Sequence, residues 1–168
     1  INGQDSHKGV NFVEKPGKIE MYSGAGYQVI QQVLEEITGK HLYQLMNQYI
    51  FKPLKLTNST GKILYPGKHK YKLSNMNNCY RLYPETAAAG VWMSGKDLLK
   101  ICMDLSKSYK YGTGKLLKQE TLMLFSNQNI GPYATQKNKI IFGHSGQNYG
   151  YKTGFSCYPM EGKSTIVL

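Results

Sequence analysis

The spacing of the apolar residues changes along the chain, and this change restricts the possible fold more than any other feature. Up to about residue 127 the apolar side chains recur every three or four residues, which is the period of an amphipathic helix. From about residue 138 they lie in short runs bounded by turn residues, which is typical of strands. Helices first and antiparallel strands last indicate an α+β fold. We predict one domain with a mainly helical region over 19–130 and sheet strands over 138–168.

The helical region is predicted to contain two helices close together and two further ones. The apolar positions of the first pair share the helical spacing: Ile30, Val33, Leu34, Ile37, Leu42, Leu45, Met46, Tyr49 and Ile50. Gly39 is placed to end the first helix, and Pro53 is placed to end the second. A third helix is predicted to begin at Ser94, whose side chain can cap it, and a fourth to cover 118–127.

Two polar stretches are predicted to lie outside these elements, 1–18 as a loop and 56–85 as a long surface excursion. The predicted strands are 140–142, 151–158 and 164–168. A turn over 159–162 joins the last two strands. The final strand carries apolar side chains, and no later element of this sequence covers them. We therefore expect the chain to be the C-terminal fragment of a larger domain.

The 168 residues include 21 Lys and Arg against 10 Asp and Glu, which gives a net charge of +11. This excess attracts anionic partners. Only Arg81 is an arginine and the lysines are scattered, whereas recognition of phosphates and bases favours arginine. We therefore predict no nucleic-acid partner, and an anionic cell envelope is the other candidate. No apolar run reaches the roughly 18–20 residues that a bilayer span needs, so no transmembrane segment is predicted.

The spacing of cysteines and histidines gives no sign of a disulfide framework or a metal site. Cys79, Cys102 and Cys157 are far apart, and none belongs to a C-x-x-C pair. Cys102 lies in an apolar stretch and is predicted to be buried. The four histidines show no HExxH or H-x-H spacing. We predict no metal and no cofactor.

Three short segments place small residues, and in two cases reactive side chains, at the ends of predicted elements. Tyr22 precedes the first helix among glycines, so its phenol can point into a cleft. His144 and Ser145 lie at a strand edge that can offer an imidazole, a hydroxyl and a backbone N–H to an extended substrate. The third segment, 87–92, contains three alanines and a glycine, and we interpret it as a structural packing element.

These segments occur in an order that resembles one known superfamily. The motifs are, in chain order, Pro16-Gly17, Tyr22-Ser23-Gly24-Ala25-Gly26-Tyr27, Glu-Glu-Ile-Thr-Gly, Ile50-Phe51-Lys52-Pro53-Leu54-Lys55-Leu56-Thr57-Asn58, Pro84-Glu85-Thr86 with Ala-Ala-Ala-Gly-Val-Trp, the Ser94 helix, and Phe-Gly-His-Ser-Gly-Gln-Asn-Tyr-Gly-Tyr. From about Pro16 to its last residue the chain resembles the serine β-lactamases and penicillin-binding-protein-like serine hydrolases, in particular those related to class C β-lactamases. The resemblance implies a β-lactamase/transpeptidase-like fold, in which an antiparallel sheet packs with helices.

The first motif carries the predicted proton-transfer residue. Tyr22 matches the tyrosine that in the family helps to move a proton between the nucleophilic serine and the leaving group. An ordinary phenol has a pKa of about 10 and is a poor base at neutral pH, so a neighbouring cation is needed. The family supplies a lysine for this purpose. Gly24 stands where the family often has an asparagine that contacts the substrate, so that amide contact is missing here.

The last motif carries the predicted substrate-binding strand. His144, Ser145 and Gly146 match the family's Lys/His-Thr/Ser-Gly triplet, which orients the substrate. The backbone N–H of Gln147 then matches one oxyanion donor. Lys152 begins a second triplet, Lys-Thr-Gly, but the residues around His144 align the earlier triplet with the family. Lys152 is therefore predicted to lie in the next strand.

The family's nucleophile motif, Ser-x-x-Lys, lies upstream of the tyrosine motif, and nothing before Tyr22 spells it. Ser59 and Lys62 have the required spacing, but they follow Tyr22 in a polar stretch, so we interpret this match as coincidence. We expect the missing N-terminal part of the same domain to supply the serine and the lysine. The 168 residues alone are predicted not to turn over substrate.

The resemblance implies acyl transfer or hydrolysis of an amide or ester through an acyl-serine intermediate. The implied substrates are β-lactams, D-alanyl peptides or other peptidoglycan-like molecules, and small esters. Relatives that act on the cell wall lie outside the cytoplasmic membrane, so an extracytoplasmic location is expected. The alternative is a catalytically inactive family member that binds the cell envelope through its basic surface.

Overall fold

The structure of the chain is a computed structural model that describes residues 14–62, 86–127, 131, 133–136, 139–148 and 151–168. Its helices are α1 (Gly24–Thr38), α2 (Leu42–Met46), a π-helical turn (Asn47–Phe51), α3 (Lys52–Leu54), α4 (Thr86–Ala89), α5 (Gly95–Tyr111) and α6 (Gln119–Asn127). Its strands are β1 (Ser59–Thr60), β2 (Trp92–Met93), β3 (Tyr133–Gln136), β4 (Lys139–Asn148), β5 (Tyr151–Tyr158) and β6 (Lys163–Val167). The helices come mainly first and the antiparallel sheet last, which confirms the predicted α+β class.

Helix α1 is bounded by local signals at both ends. The Ser23 side chain accepts a hydrogen bond from the N–H of Gly26 at 3.0 Å, so it caps the first turn. Gly39 has a φ of 63° and donates its N–H to the Glu35 carbonyl, which ends the helix in the left-handed conformation that glycine tolerates. The predicted helix and its predicted end at Gly39 are confirmed. The start at Gly24 places Tyr22 directly before the N-cap residue of the helix, Ser23.

The second predicted helix continues one residue past Pro53, to Leu54. Proline has no N–H to donate into the α-helical ladder, and the backbone shifts to π-helical hydrogen bonding just before it. The N–H of Lys52 donates to the Asn47 carbonyl, five residues earlier. Lys55 then ends the helical segment with a φ of 53°. The predicted stop at Pro53 was therefore wrong by one residue, because the π turn accommodates the proline.

Helices α5 and α6 confirm the two remaining helix predictions. The Ser94 side chain accepts a hydrogen bond from the N–H of Asp97 at 3.2 Å and caps α5. Gly112, with a φ of 68°, ends α5. Helix α6 begins one residue later than predicted. The loop between the helices is held by the buried Asp104 carboxylate, which accepts hydrogen bonds from the backbone N–H groups of Lys115 and Leu116.

The main sheet has four antiparallel strands in the order β3-β4-β5-β6. The predicted strand over 151–158 is confirmed, and β6 lies one residue earlier than predicted. Gly162, with a φ of 65°, allows the tight turn between β5 and β6. Strand β4 is longer than the predicted 140–142, since it continues through the triplet at His144. Strand β3 was not predicted.

The core lies where α5 packs on the sheet. Cys102 on α5, Phe142 on β4 and Cys157 on β5 are almost completely buried and in mutual contact. The predicted burial of Cys102 is confirmed, whereas Cys79 lies outside the described residues. The hydrogen bond to the Cys157 thiol, together with burial, raises the pKa of Cys102. Cys157 Sγ also lies 3.1 Å from Ser106 Oγ.

The predicted surface excursion over 56–85 is partly wrong. Its first residues are ordered by the buried Asp97 carboxylate, which accepts hydrogen bonds from the Asn58 N–H at 2.7 Å and the Ser59 hydroxyl at 2.9 Å. This anchor brings β1 against β2, and Leu56 is buried beside it. Residues 63–85, and residues 1–13 of the predicted N-terminal loop, lie outside the described residues.

None of the helices in the described part of the chain combines the length and the apolar content that crossing a membrane requires.

Candidate active site

Tyr22 and His144 come together although 121 residues separate them in the sequence. Their ring centroids are 6.0 Å apart and the ring planes differ by 19°, so the two rings are stacked. Tyr22 is placed by the capped start of α1, and its side chain is 73% exposed. The phenol is therefore accessible to a molecule bound beside the sheet.

The part of β4 that carries the predicted triplet has one open edge. On one side, β5 pairs with β4 from Phe142 to Asn148. On the other side, β3 pairs with β4 only as far as Phe142. Within the described residues, the edge of β4 from 143 to 148 has no strand partner on that side. Backbone N–H and C=O groups of such an edge can bind an extended molecule.

A cavity of about 440 Å³ lies between the chain before α1 and this part of the sheet. The residues that line it come from the chain before α1, from β4 and from β5: Tyr22, His144, Ser145, Gly146, Gln147, Lys152 and Thr153. Five of the six predicted site residues are therefore brought together. The sixth, Gly24, is the first residue of α1 and does not line the cavity.

Lys152 and Thr153 line the cavity, although the sequence analysis assigned them no role. They lie on β5, as predicted, with Lys152 opposite Gln147 and Thr153 opposite Gly146. A Cβ atom on Gly146 would lie 2.9 Å from the Thr153 hydroxyl oxygen, so a side chain there would displace Thr153. The predicted strand at 140–142 stopped short of Gly146 and Gln147, so the sequence analysis gave no register between them and β5.

Helix α4 connects α1 to the sheet and so positions the cavity walls. The N–H of Ala87 donates to the side-chain oxygens of Gln28 and Gln31 on α1, at 3.2 and 3.1 Å. The Asn148 side chain of β4 donates to the Ala89 carbonyl at 3.5 Å. This arrangement agrees with the structural role that the sequence analysis gave to the alanine-rich segment.

The side chains that line the cavity are mostly polar. They supply hydroxyl and amide groups, the imidazole of His144 and the amine of Lys152. Within the described residues, no Asp or Glu lines the cavity. Among the residues that the structure describes, no group of three His, Cys, Asp or Glu is placed to hold a metal ion.

A larger concave surface, of about 810 Å³, lies along the C-terminal half of α1. None of the predicted site residues lines it. One of its carboxylates has structural hydrogen bonds: that of Glu35 accepts from the Leu42 N–H at 2.7 Å and from the Gln31 side chain at 3.1 Å. The smaller cavity is therefore the better candidate for chemistry.

The Ser59 and Lys62 pair, which matches the nucleophile spacing, lies elsewhere. Ser59 is buried on β1 and donates its hydroxyl proton to the Asp97 carboxylate. The Lys62 ammonium lies 4.8 Å from the centre of the Tyr43 ring. Neither residue lines the cavity.

A family model named Beta-lactamase matches residues 8–168, which is nearly the whole chain. The chain belongs to the beta-lactamase family. The family predicted from the sequence motifs is therefore confirmed. A search of curated proteins finds no match.

Solved structures of this family confirm the predicted β-lactamase/transpeptidase-like fold. The octameric penicillin-binding protein homologue from Pyrococcus abyssi superposes with a TM-score of 0.68 at 19% identity, over 92% of this chain and 39% of that one. The D-stereospecific amidohydrolase from Streptomyces sp. gives 0.66 at 20% identity, over 90% and 50%. EstCE1, described as a hydrolase with promiscuous acyltransferase activity, gives 0.61 at 18% identity, over 95% and 53%. The chain thus spans between two fifths and about half of the length of these solved structures.

Proposed function

We propose that this chain is the C-terminal part of a serine hydrolase that transfers or hydrolyses the acyl group of an amide or ester. The observation that carries the proposal is the stacking of Tyr22 on His144 in a cavity that Ser145, Gly146 and Gln147 also line. A proton-transfer group and a substrate-binding edge then act on the same bound molecule.

In the proposed reaction, a serine hydroxyl attacks the substrate carbonyl and forms an acyl-enzyme, which water hydrolyses. Tyr22 accepts the proton of the serine and passes it to the leaving group. The exposed phenol at the cavity supports this role, because a group that exchanges protons with substrate has to reach it. No metal or organic cofactor takes part in the proposed steps.

The open edge of β4 is proposed to hold the substrate. His144 and Ser145 orient it through the imidazole and the hydroxyl, and Gly146 keeps the strand close to the bound molecule. The backbone N–H of Gln147 donates to the oxyanion that forms during attack, an interaction whose loss typically reduces the rate about 100- to 1000-fold. Gly24, at the start of α1, is proposed to border the substrate where the family often has an asparagine.

The nucleophilic serine and its lysine are proposed to come from the missing N-terminal part of the same domain. Two findings support this partner. The chain spans 39% to 53% of the solved relatives. The apolar side of α1 is also uncovered: Ile30, Val33 and Ile37 are 54%, 52% and 72% exposed. We propose that 19–130 and 138–168 belong to this single domain.

The proposed substrates are β-lactams, D-alanyl peptides and related cell-wall molecules, and small esters. The relatives with the same fold include a D-stereospecific amidohydrolase and a hydrolase with acyltransferase activity, which supports an amide or an ester. The net charge of +11 suits an anionic cell wall, so an extracytoplasmic location is proposed.

The test is to treat the full-length protein with a serine-directed acylating probe and to locate the label by mass spectrometry. We expect the label on a serine of a Ser-x-x-Lys motif upstream of Tyr22. Tyr22→Phe should slow labelling by about 100-fold or more, because it removes the proton-transfer group. Tyr27→Phe is the matched control, since Tyr27 is an exposed tyrosine of α1 that does not line the cavity.

Equal labelling rates in the wild-type protein and Tyr22→Phe would overturn the role of Tyr22. Absence of labelling, together with inert residues in place of Ser-x-x-Lys, would favour the alternative, a catalytically inactive member that binds the cell envelope. Co-sedimentation with insoluble peptidoglycan that weakens as salt is added would then support that alternative, because the basic surface would carry the binding.

A further inference from the structure

Two cysteine thiols meet in the core, at a point that the proposed function does not use. Cys102 on α5 and Cys157 on β5 are 55 positions apart in the sequence and are 1% and 0% exposed. Both are free thiols, they are hydrogen-bonded to each other, and they pack with Phe142 of β4. The spacing of the cysteines gave no sign of this contact, because it depends on how α5 packs on the sheet.

Neighbouring groups hold the Cys157 thiol against the turn of α5 that carries Cys102. The Cys157 sulfur lies 3.5 Å from the Cys102 carbonyl oxygen and 3.1 Å from the Ser106 hydroxyl oxygen. Ser106 follows Cys102 by four residues, on the same face of the helix, and donates its hydroxyl proton to the Cys102 carbonyl at 2.8 Å. The Cys157 sulfur is therefore fixed beside the backbone of Cys102.

This arrangement meets the main geometric requirement for a disulfide. Two cysteines can be bridged without moving the backbone only where their Cα atoms lie within about 7 Å and their Cβ atoms face each other. Thiols that share a hydrogen bond already face each other. The bond between Cys102 and Cys157 can therefore close by rotation of the two side chains.

We propose that Cys102 and Cys157 are a disulfide site that ties α5 to β5 in an oxidising environment. The two thiols give up two protons and two electrons as the S–S bond forms, and a small disulfide such as oxidised glutathione accepts them and leaves as two thiols. Because both sulfur atoms are buried, this exchange takes place while α5 is away from the sheet, during folding or local opening. The bond closes a loop of about 55 residues, which restricts the unfolded chain and stabilises the fold.

The first test locates the bond by mass spectrometry. The full-length protein is reduced, unfolded and refolded in a buffer of reduced and oxidised glutathione, and the remaining thiols are blocked before digestion. We expect linked peptides that contain Cys102 and Cys157 in most molecules. Secretion of the same protein into the oxidising periplasm of a bacterial host gives the same readout without refolding. Unlinked Cys102 and Cys157 in folded protein from either route, or a bond from one of them to Cys79, would overturn the proposal.

The second test measures the effect of the bond on stability. Full-length protein that is kept in dithiothreitol throughout should unfold at a Tm about 3 °C or more below that of the oxidised protein. Cys157→Ala removes the bond but keeps a small apolar side chain in the core, so its Tm should be the same under both conditions. Cys79→Ala is the matched control and should behave like the wild-type protein. A wild-type Tm that does not depend on oxidation, or an equal dependence in Cys157→Ala, would overturn the proposal.

Discussion

Helices α1 and α5 are both amphipathic, but within the described residues only α5 has a buried apolar face. Helix α5 packs on β5 and β6, and its Cys102 is 1% exposed. Helix α1 has no buried residue, and Ile37 near its end is 72% exposed. A helical apolar pattern therefore predicts a face that needs a partner, but it does not predict whether the partner lies within the same 168 residues.

The two walls of the cavity differ in the same way as the two helices. The cavity wall formed by β4 and β5 belongs to the sheet on which α5 packs. The wall formed by Tyr22 lies beside α1, whose apolar side chains are exposed. The open edge of β4 is thus part of the sheet that forms the core. Tyr22 instead precedes α1, which is held by its Ser23 cap and by hydrogen bonds to α4.

The largest expected effect on stability comes from truncating a buried side chain of the core. Phe142→Ala should lower the free energy of unfolding of the chain by about 3–5 kcal/mol, because Phe142 is completely buried and the neighbouring side chains cannot fill the space. Ile37→Ala on α1 is the matched control and should change it by less than about 0.5 kcal/mol. Urea unfolding of the 168-residue chain measures both values. Comparable losses in the two variants would show that the apolar face of α1 is covered within this chain.

A smaller effect is expected at the polar anchor of α5. Burial raises the pKa of Asp97, but hydrogen bonds from Asn58, Lys100 and Ser59 outweigh it, so the net pKa lies below the ordinary value of 3.8. Asp97→Asn should lower the free energy of unfolding by about 2–3 kcal/mol, because buried donors lose their charged acceptor. Urea unfolding at neutral pH measures this loss.

The pH dependence of that stability follows from the sign of the shift. Because the folded pKa is lowered, the contribution of Asp97 is complete above the unfolded pKa of about 3.8 and is lost as the pH falls through the folded value. The Asp97→Asn variant should therefore lose less stability than the wild-type protein between pH 5 and about pH 2. Glu120→Gln, at an exposed carboxylate of α6, is the control. Identical acid profiles for the wild-type protein and Asp97→Asn would contradict this account.

Local signals in the sequence predicted much of the fold. Ser94 and Gly39 form cap hydrogen bonds with residues three or four positions away. The helix boundaries that they set could therefore be predicted from the sequence. Strands β1 and β2 contain two residues each, and the Asp97 carboxylate anchors the start of β1 through Asn58 and Ser59. Such a contact spans 39 residues and leaves no periodic pattern in the sequence.

The sequence also indicated part of the candidate site. The motifs around Tyr22 and His144 are contiguous and could be recognised by their order. Lys152 was missed because its place in the cavity depends on the register of β4 against β5, which pairs it with Gln147. Register is a property of two strands together, whereas a motif is a property of one segment.

The most direct measurement of the central claim is a double-mutant cycle on the acylation rate constant of the full-length protein, with Tyr22→Phe and His144→Ala. If both side chains act on one bound substrate, each change slows acylation, and the double variant is slowed by less than the product of the two separate factors. Two factors that multiply without loss, or a Tyr22→Phe variant that acylates at the wild-type rate, would contradict the claim that these two residues form one catalytic site.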